Sequence, residues 1–232
     1  MVFVVPNYNW NILSPIEMDV SRLACVFLVD TSGGAIEEVN QGLIALEEYF
    51  KEDSEARSRI DLAVISFNST VDSDVGFCSA ADYRAPHLSA GGITALNEAI
   101  EAGLDAVDFI VTAYKERAIC YFRPCLFLLT DGSPTDQEKE AAAKSRLQDC
   151  LRRRKVTFFP MGIGDYADMN KLASYYPDEA ISKPVLKADK NNFKELFVWL
   201  DYGTAGGYAH DPAVEIQVTP IPENFDAITV DI

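Results

Sequence analysis

Asp30-Thr31-Ser32-Gly33-Gly34 is the stretch that decides how this chain is read. It follows an apolar run, Leu23 to Val29, and leads into an amphipathic segment beginning near Ile36. A short apolar run closed by a polar, glycine-rich turn reads as a strand buried on both faces that feeds a helix. Two small hydroxyls and a carboxylate on that turn make a hard-oxygen site suited to a cation such as Mg²⁺. Further on, Gly91-Gly92-Ile93-Thr94 presents another hydroxyl ahead of a helical pattern. Leu126-Phe127-Leu128-Leu129-Thr130-Asp131-Gly132 then presents another carboxylate at the end of a strand.

Working outward, Ile36, Val39, Leu43, Leu46 and Phe50 recur at helical steps and mark one buried stripe. Ile60 to Phe67 predicts the next strand, Asn68-Ser69 a turn, and Val75 with Phe77 a short strand before a loop through Pro86. Leu96, Ala99, Ile100, Leu104, Val107 and Val111 predict a helix after Thr94. Cys125 to Thr130 is the strongest strand signal. Asp136 is expected to start and cap a helix running towards Arg152-Arg153-Arg154-Lys155, cations that suit a helix C-terminus. Val156 to Ile163 predicts a strand, Asp168 to Tyr175 a short helix, Val185-Leu186 an edge strand and Phe193 to Leu200 a last helix.

Strands alternating with helices give an α/β class: a three-layer, Rossmann-like sandwich with a mostly parallel central sheet and helices on both faces. In such sheets ligands sit beyond the carboxyl ends of the strands, where Asp30, Thr94 and Asp131 can gather. The expected organisation is an N-terminal extension over residues 1–21 packing on the domain edge, a domain over 22–200, and an extended C-terminal tail over 201–232 that could add an edge strand. Phe3, Val5, Trp10 and Ile12 are the extension's candidates for packing.

The 232 residues suffice for one well-buried domain. Formal net charge is −16, from 36 acidic against 20 basic residues, a field that repels phosphate backbones and anionic lipids. Nucleic-acid and membrane partners are therefore not expected. Five cysteines form no Cys-x-x-Cys pair, and Cys25 and Cys125 lie within apolar runs, so free thiols and a reducing compartment are expected. The first residues lack the pattern of a signal peptide, and no apolar stretch approaches the roughly 20 residues of a membrane helix. A cytoplasmic location follows as the expectation.

Three loops carrying Asp30 and Ser32, then Thr94, then Asp131 resemble the metal-ion-dependent adhesion site of von Willebrand factor A (vWA) domains. The likeness spans residues 22 to 200. Tyr121-Phe122-Arg123-Pro124, Asp131-Gly132-Ser133-Pro134-Thr135-Asp136 and Phe193-x-x-Leu196-Phe197-x-Trp199-Leu200 resemble the bacterial TerY-like and YegL-like branch. The resemblance implies that Ser32 and Thr94 are hydroxyl ligands of Mg²⁺ or Mn²⁺. Asp30 and Asp131 would act directly or through water, and a protein partner's carboxylate would complete the shell. It further implies phosphatase or kinase partners in bacterial stress or metal response. The family motif is Asp-x-Ser-x-Ser, and Gly34 stands at its last position, so the expectation is a weakened metal site, with an empty one as the alternative.

Each residue also has a purely structural reading. Asp30 and Asp131 could cap the helices that follow, Ser32 could bond amides in its turn, Thr94 could be an ordinary N-cap, and the glycines could serve tight turns. Two other functions compete with the metal-dependent one. A metal-independent scaffold would bind through its helices or the 201–232 tail. A Mg²⁺-dependent phosphotransfer enzyme would need a second Asp two residues after Asp30, where Ser32 stands. No P-loop is present, and Ser32 has no His base in a matching motif, so a non-catalytic interaction module is the expected function.

Overall fold

The computed structural model describes residues 20–33, 36–131, 134–164, 167–180, 184–188 and 227–229. Residues 1–19 of the N-terminal extension, Gly34, the Phe193–Leu200 helix and nearly all of the tail lie outside the described residues. The strands are β1 (Leu23–Asp30), β2 (Ile60–Phe67), β3 (Val71–Ser79), β4 (Cys125–Thr130), β5 (Thr157–Ile163), β6 (Pro184–Ala188) and β7 (Ala227–Thr229). The helices are α1 (Ile36–Glu52), α2 (Ser54–Arg59), α3 (Leu96–Glu116), α4 (Glu140–Arg152) and α5 (Met169–Ala173). One sheet takes the order β3-β2-β1-β4-β5-β6-β7. Its four inner pairings are parallel, and β3 and β7 join antiparallel at the edges.

Every residue of β1, β2 and β4 is buried, because helices cover both faces. Leu23, Cys25, Phe27 and Val29 point towards α1, where Val39, Leu43, Leu46 and Phe50 meet them. Val26 and Leu28 point the other way, against Leu96, Ile100 and Leu104 of α3 and Leu147 of α4. Phe27, Phe127 and Phe159 share one register row of β1, β4 and β5. Their rings stack with centroids 4.8 and 5.1 Å apart. That row locks the register of the central strands, since a one-residue slip would send each ring to the opposite face.

Several boundaries differ from the sequence reading. The short Val75–Phe77 strand is a nine-residue edge strand, β3, whose side chains alternate between partly buried and exposed. Helix α2 carries no readable periodicity over six residues and buries only Ala56; Asp53 caps it, accepting from the Glu55 and Ala56 amides. Strand β6 is not an edge strand, because β7 pairs along its outer side. The basic run does sit at a helix end, with Arg152 on Glu179 and Arg153 on Asp149.

Helices α3 and α4 stop alike. Ala118 (φ 53°) and Arg154 (φ 54°) take the left-handed conformation just past each end. Ile119 N donates to Tyr114 O and Lys155 N to Cys150 O, the long closing bond of a Schellman motif in each case. All five cysteines are free. At the amino ends of the strands, Arg22 and Asp61 form a buried ion pair to which the Tyr114 hydroxyl also donates, at 2.5 Å. Among the described residues no helix is long and apolar enough to cross a membrane.

Candidate metal centre

Chain order reverses between β1 and β4: the strand following β1 lies on one side of it, and β4 lies on the other. Loops leaving these two strands diverge, and the crevice between them is where open α/β sheets place ligands. Asp30 ends β1, and Asp131 follows β4. Thr94 arrives from the irregular segment between β3 and α3.

The structure brings Asp30, Ser32 and Thr94 into direct hydrogen-bond contact. Ser32 Oγ donates to Asp30 Oδ1 at 2.6 Å, and Ser32 N donates to the same oxygen at 2.9 Å. Ser32 Oγ lies 2.7 Å from Thr94 Oγ1. With the serine proton committed to Asp30, the Thr94 hydroxyl is the donor of that pair. Asp131 reaches the same loop: a Cβ placed on Gly33 would stand 3.2 Å from Asp131 Oδ2. All four residues singled out from the sequence therefore converge on one rim. Burial raises the Asp30 carboxyl above its ordinary value, opposed by the bonds from Ser32 and Thr130 and reinforced by the nearby Asp131 charge.

Some structural readings fall away. Thr94 is not the N-cap of α3; Ala95 holds that place and provides no side-chain bond. Asp136 does not cap the short 3₁₀ turn and helix that follow it. It reaches instead to α3, where its carboxylate accepts from Asn97 N at 3.2 Å and Glu98 N at 2.9 Å. Thr31, the second hydroxyl of the opening stretch, turns inward, donating to Phe67 O at 3.2 Å and accepting from Asn68 Nδ2 at 3.1 Å. Its side chain braces the turn, while its carbonyl accepts from Gly91 N at 2.9 Å.

Thr130 and Asn68 also belong to the site, although neither stands out in the motif. Thr130, fully buried, donates to Asp30 Oδ2 at 2.6 Å and fixes the rotation of that carboxylate. A hydroxyl as the last residue of an otherwise apolar strand was its visible signal. Asn68 receives Ala95 N on its carbonyl at 2.8 Å while its amide holds Thr31, so the turn after β2 binds two site loops at once. Gly92 sits at φ 80°, and a Cβ there would fall 2.6 Å from Ser69 Oγ. A side chain at Gly92 would thus be excluded twice, by conformation and by contact.

Among the described residues no three His, Cys, Asp or Glu side chains cluster as a metal site. The donor set here is two hydroxyls and two carboxylates, all hard oxygens, which fits Mg²⁺ or Mn²⁺ and not a thiolate- or imidazole-seeking ion. Neighbouring ligands of an octahedral ion with bonds of about 2.0–2.1 Å lie about 2.9 Å apart. The 2.7 Å between Ser32 Oγ and Thr94 Oγ1 is close to that spacing. The rim borders exposed surface: Gly91 and Gly92 are exposed and Ile93 is 58% accessible. As a nucleophile Asp30 is poorly placed, since both its oxygens are already engaged by Ser32 and Thr130.

No protein-family model and no curated protein matches the chain. Solved structures do. The manganese-loaded TRAP protein of Plasmodium vivax is similar at 20% identity and TM-score 0.50, over 76% of this chain and 72% of that one. The von Willebrand factor type A protein from Catenulispora acidiphila is similar at 16% identity and TM-score 0.52, over 80% of this chain and 43% of that one. The chain thus spans less than half of the Catenulispora protein. At these identities the likeness establishes the fold, and the fold is the three-layer α/β architecture of vWA domains.

Proposed function

We propose that this chain is a non-catalytic interaction module that holds a divalent cation, Mg²⁺ or Mn²⁺, on the rim formed by Asp30, Ser32, Thr94 and Asp131. The observation that carries the reading is the 2.7 Å approach of the Ser32 and Thr94 oxygens, 62 residues apart in sequence, beside two carboxylates. Ser32 and Thr94 supply neutral oxygens, while Asp30 and Asp131 supply the charge. Thr130 keeps Asp30 turned towards Ser32. When bound, the cation supplies a Lewis-acidic position able to take a carboxylate from a protein partner. The manganese in the Plasmodium TRAP structure supports the choice of ion by analogy of fold. Gly34 removes one hydroxyl from the family motif, so the affinity is expected to be modest. Placement in the TerY-like branch and phosphatase or kinase partners belong to this proposal and rest on the sequence motif; a cytoplasmic setting belongs to it as well and is supported by the five free cysteines.

Titration calorimetry with Mn²⁺ and Mg²⁺ on the wild type and Asp131→Ala tests it. The expected result is saturable heat in the wild type and at least about a tenfold weaker affinity in the variant, the loss of one charged ligand. No saturable heat in the wild type would remove the metal from the account. It would leave a metal-independent scaffold as the remaining interaction reading.

A further inference from the structure

The start of α3 is held by a residue that does not belong to it. An ordinary N-cap is the residue just before the helix, but Ala95 has no side-chain oxygen to offer the free amides of the first turn. Asp136 provides the acceptor from 39 residues further along the chain. Its carboxylate takes Asn97 N and Glu98 N, and it also takes Asn97 Nδ2 at 3.0 Å. The Asp136 carbonyl receives the same Nδ2 at 3.1 Å. Asn97, with no exposed surface, uses its own carbonyl to accept from Tyr175 at 2.7 Å. One residue earlier, Thr135 donates twice to Thr94 O, from its amide and from its hydroxyl, each at 2.9 Å.

These bonds share one consequence. The segment that begins at Asp131 grips Thr94 and the turn of helix immediately after it. At its Asp131 end the segment is tied to the start of α5, because Asp131 O accepts from Asp168 N at 2.9 Å. Among the described residues the Thr94 hydroxyl meets Ser32 and no group of its own helix. The turn after β2 holds the residues on either side of Thr94, through Asn68 O on Ala95 N and Ser69 Oγ on Ile93 N, and the loop after β4 holds Thr94 O itself and the helix turn beyond it.

We propose that Asp136, assisted by Thr135, is a positioning residue for Thr94: by clamping the first turn of α3 it sets the Thr94 hydroxyl against Ser32. The part of this inference that concerns metal affinity rests on the metal reading above; the positioning itself does not. Groups that orient a ligand from outside the coordination sphere commonly change metal affinity by about 10–100-fold when removed.

The experiment compares wild type, Asp136→Ala and Asp53→Ala. Asp53 makes a comparable cap on α2 at the amino ends of the strands, away from the rim. In metal-free protein, Asp136→Ala is expected to shift the Thr94 methyl resonance and to speed hydrogen exchange at the Asn97 and Glu98 amides about tenfold or more. Asp53→Ala should change neither. Mn²⁺ affinity should fall about tenfold in Asp136→Ala and hold in Asp53→Ala. Asp136→Asn, which keeps one acceptor oxygen, should fall between wild type and alanine. An unmoved Thr94 resonance in Asp136→Ala overturns the proposal. So does unchanged Mn²⁺ affinity where the wild type binds. A wild type that takes up no Mn²⁺ defeats the metal reading alone, and the Thr94 resonance then decides the positioning. Should Asp136→Ala not fold, Thr135→Val removes one bond to Thr94 O and is judged by the same resonance and affinity.

Discussion

Asp30 carries a tension between stability and binding. The residue is 8% exposed and ends a fully buried strand, so ionisation of its carboxylate costs the fold something that three hydrogen bonds only partly offset. Asn at this position keeps an acceptor for Ser32 and can donate to Thr130 while carrying no charge. Asp30→Asn is expected to raise the melting temperature of metal-free protein by about 2–4 °C, the shift that about 1 kcal/mol makes in a domain of this size. The pH dependence follows from the direction of the shift. A carboxyl whose folded pKa lies above its ordinary 3.8 destabilises the fold when ionised, and that cost is relieved as pH falls through the raised value towards 3.8. The advantage of Asp30→Asn over wild type should therefore shrink between about pH 7 and about pH 4. Thermal melts at both pH values check it, and a constant difference would contradict the account.

Helices α3 and α4 end on residues that the left-handed region does not favour. Ala118 and Arg154 occupy the position where a Schellman motif usually has glycine, and a side chain there costs about 1–2 kcal/mol. Glycine recovers most of that while losing some unfolded-state advantage. Ala118→Gly and Arg154→Gly are each expected to stabilise the protein by about 0.5–1 kcal/mol, read as a higher urea midpoint at unchanged slope. Destabilisation by Arg154→Gly would mean that its cation contributes more at the end of α4 than the backbone strain removes. The same elements show where pattern reading succeeds. The stripe in α1 and the apolar run of β1 are both legible, because burial selects residue types at the element's own period. Helix α2, with one buried residue, leaves no such trace.

Across the molecule, two polar centres lie at opposite ends of one sheet. The rim holds Asp30, Ser32, Thr94 and Asp131 beyond the carboxyl ends of β1 and β4. The other end holds Arg22, Asp61 and Tyr114. Burial, and then the neighbouring Asp61 charge, push the Tyr114 hydroxyl well above its ordinary value, so it stays a donor. Asp61→Ala would leave the Arg22 guanidinium buried without its carboxylate, which is expected to cost about 3–5 kcal/mol. Because the sheet separates the two centres, Mn²⁺ affinity of the folded fraction should change little. Chemical denaturation and calorimetry on the same variant test both statements; a large loss of affinity would show that the two ends are coupled.

Local patterning determined the elements that build the core and the four residues that form the rim. An apolar strand followed by Asp-x-Ser, a Gly-Gly-x-Thr turn and a strand ending in Thr-Asp are each readable where they stand, since short-range sterics and burial select them. The partners of those residues were decided by tertiary structure. Thr130 turns Asp30, Asn68 ties two loops, and Asp136 serves α3 instead of its own helix. These bonds join residues 27 to 100 positions apart. A hydrogen bond between two distant polar side chains imposes no period on either segment, so only the folded sheet could reveal which hydroxyl answers which carboxylate.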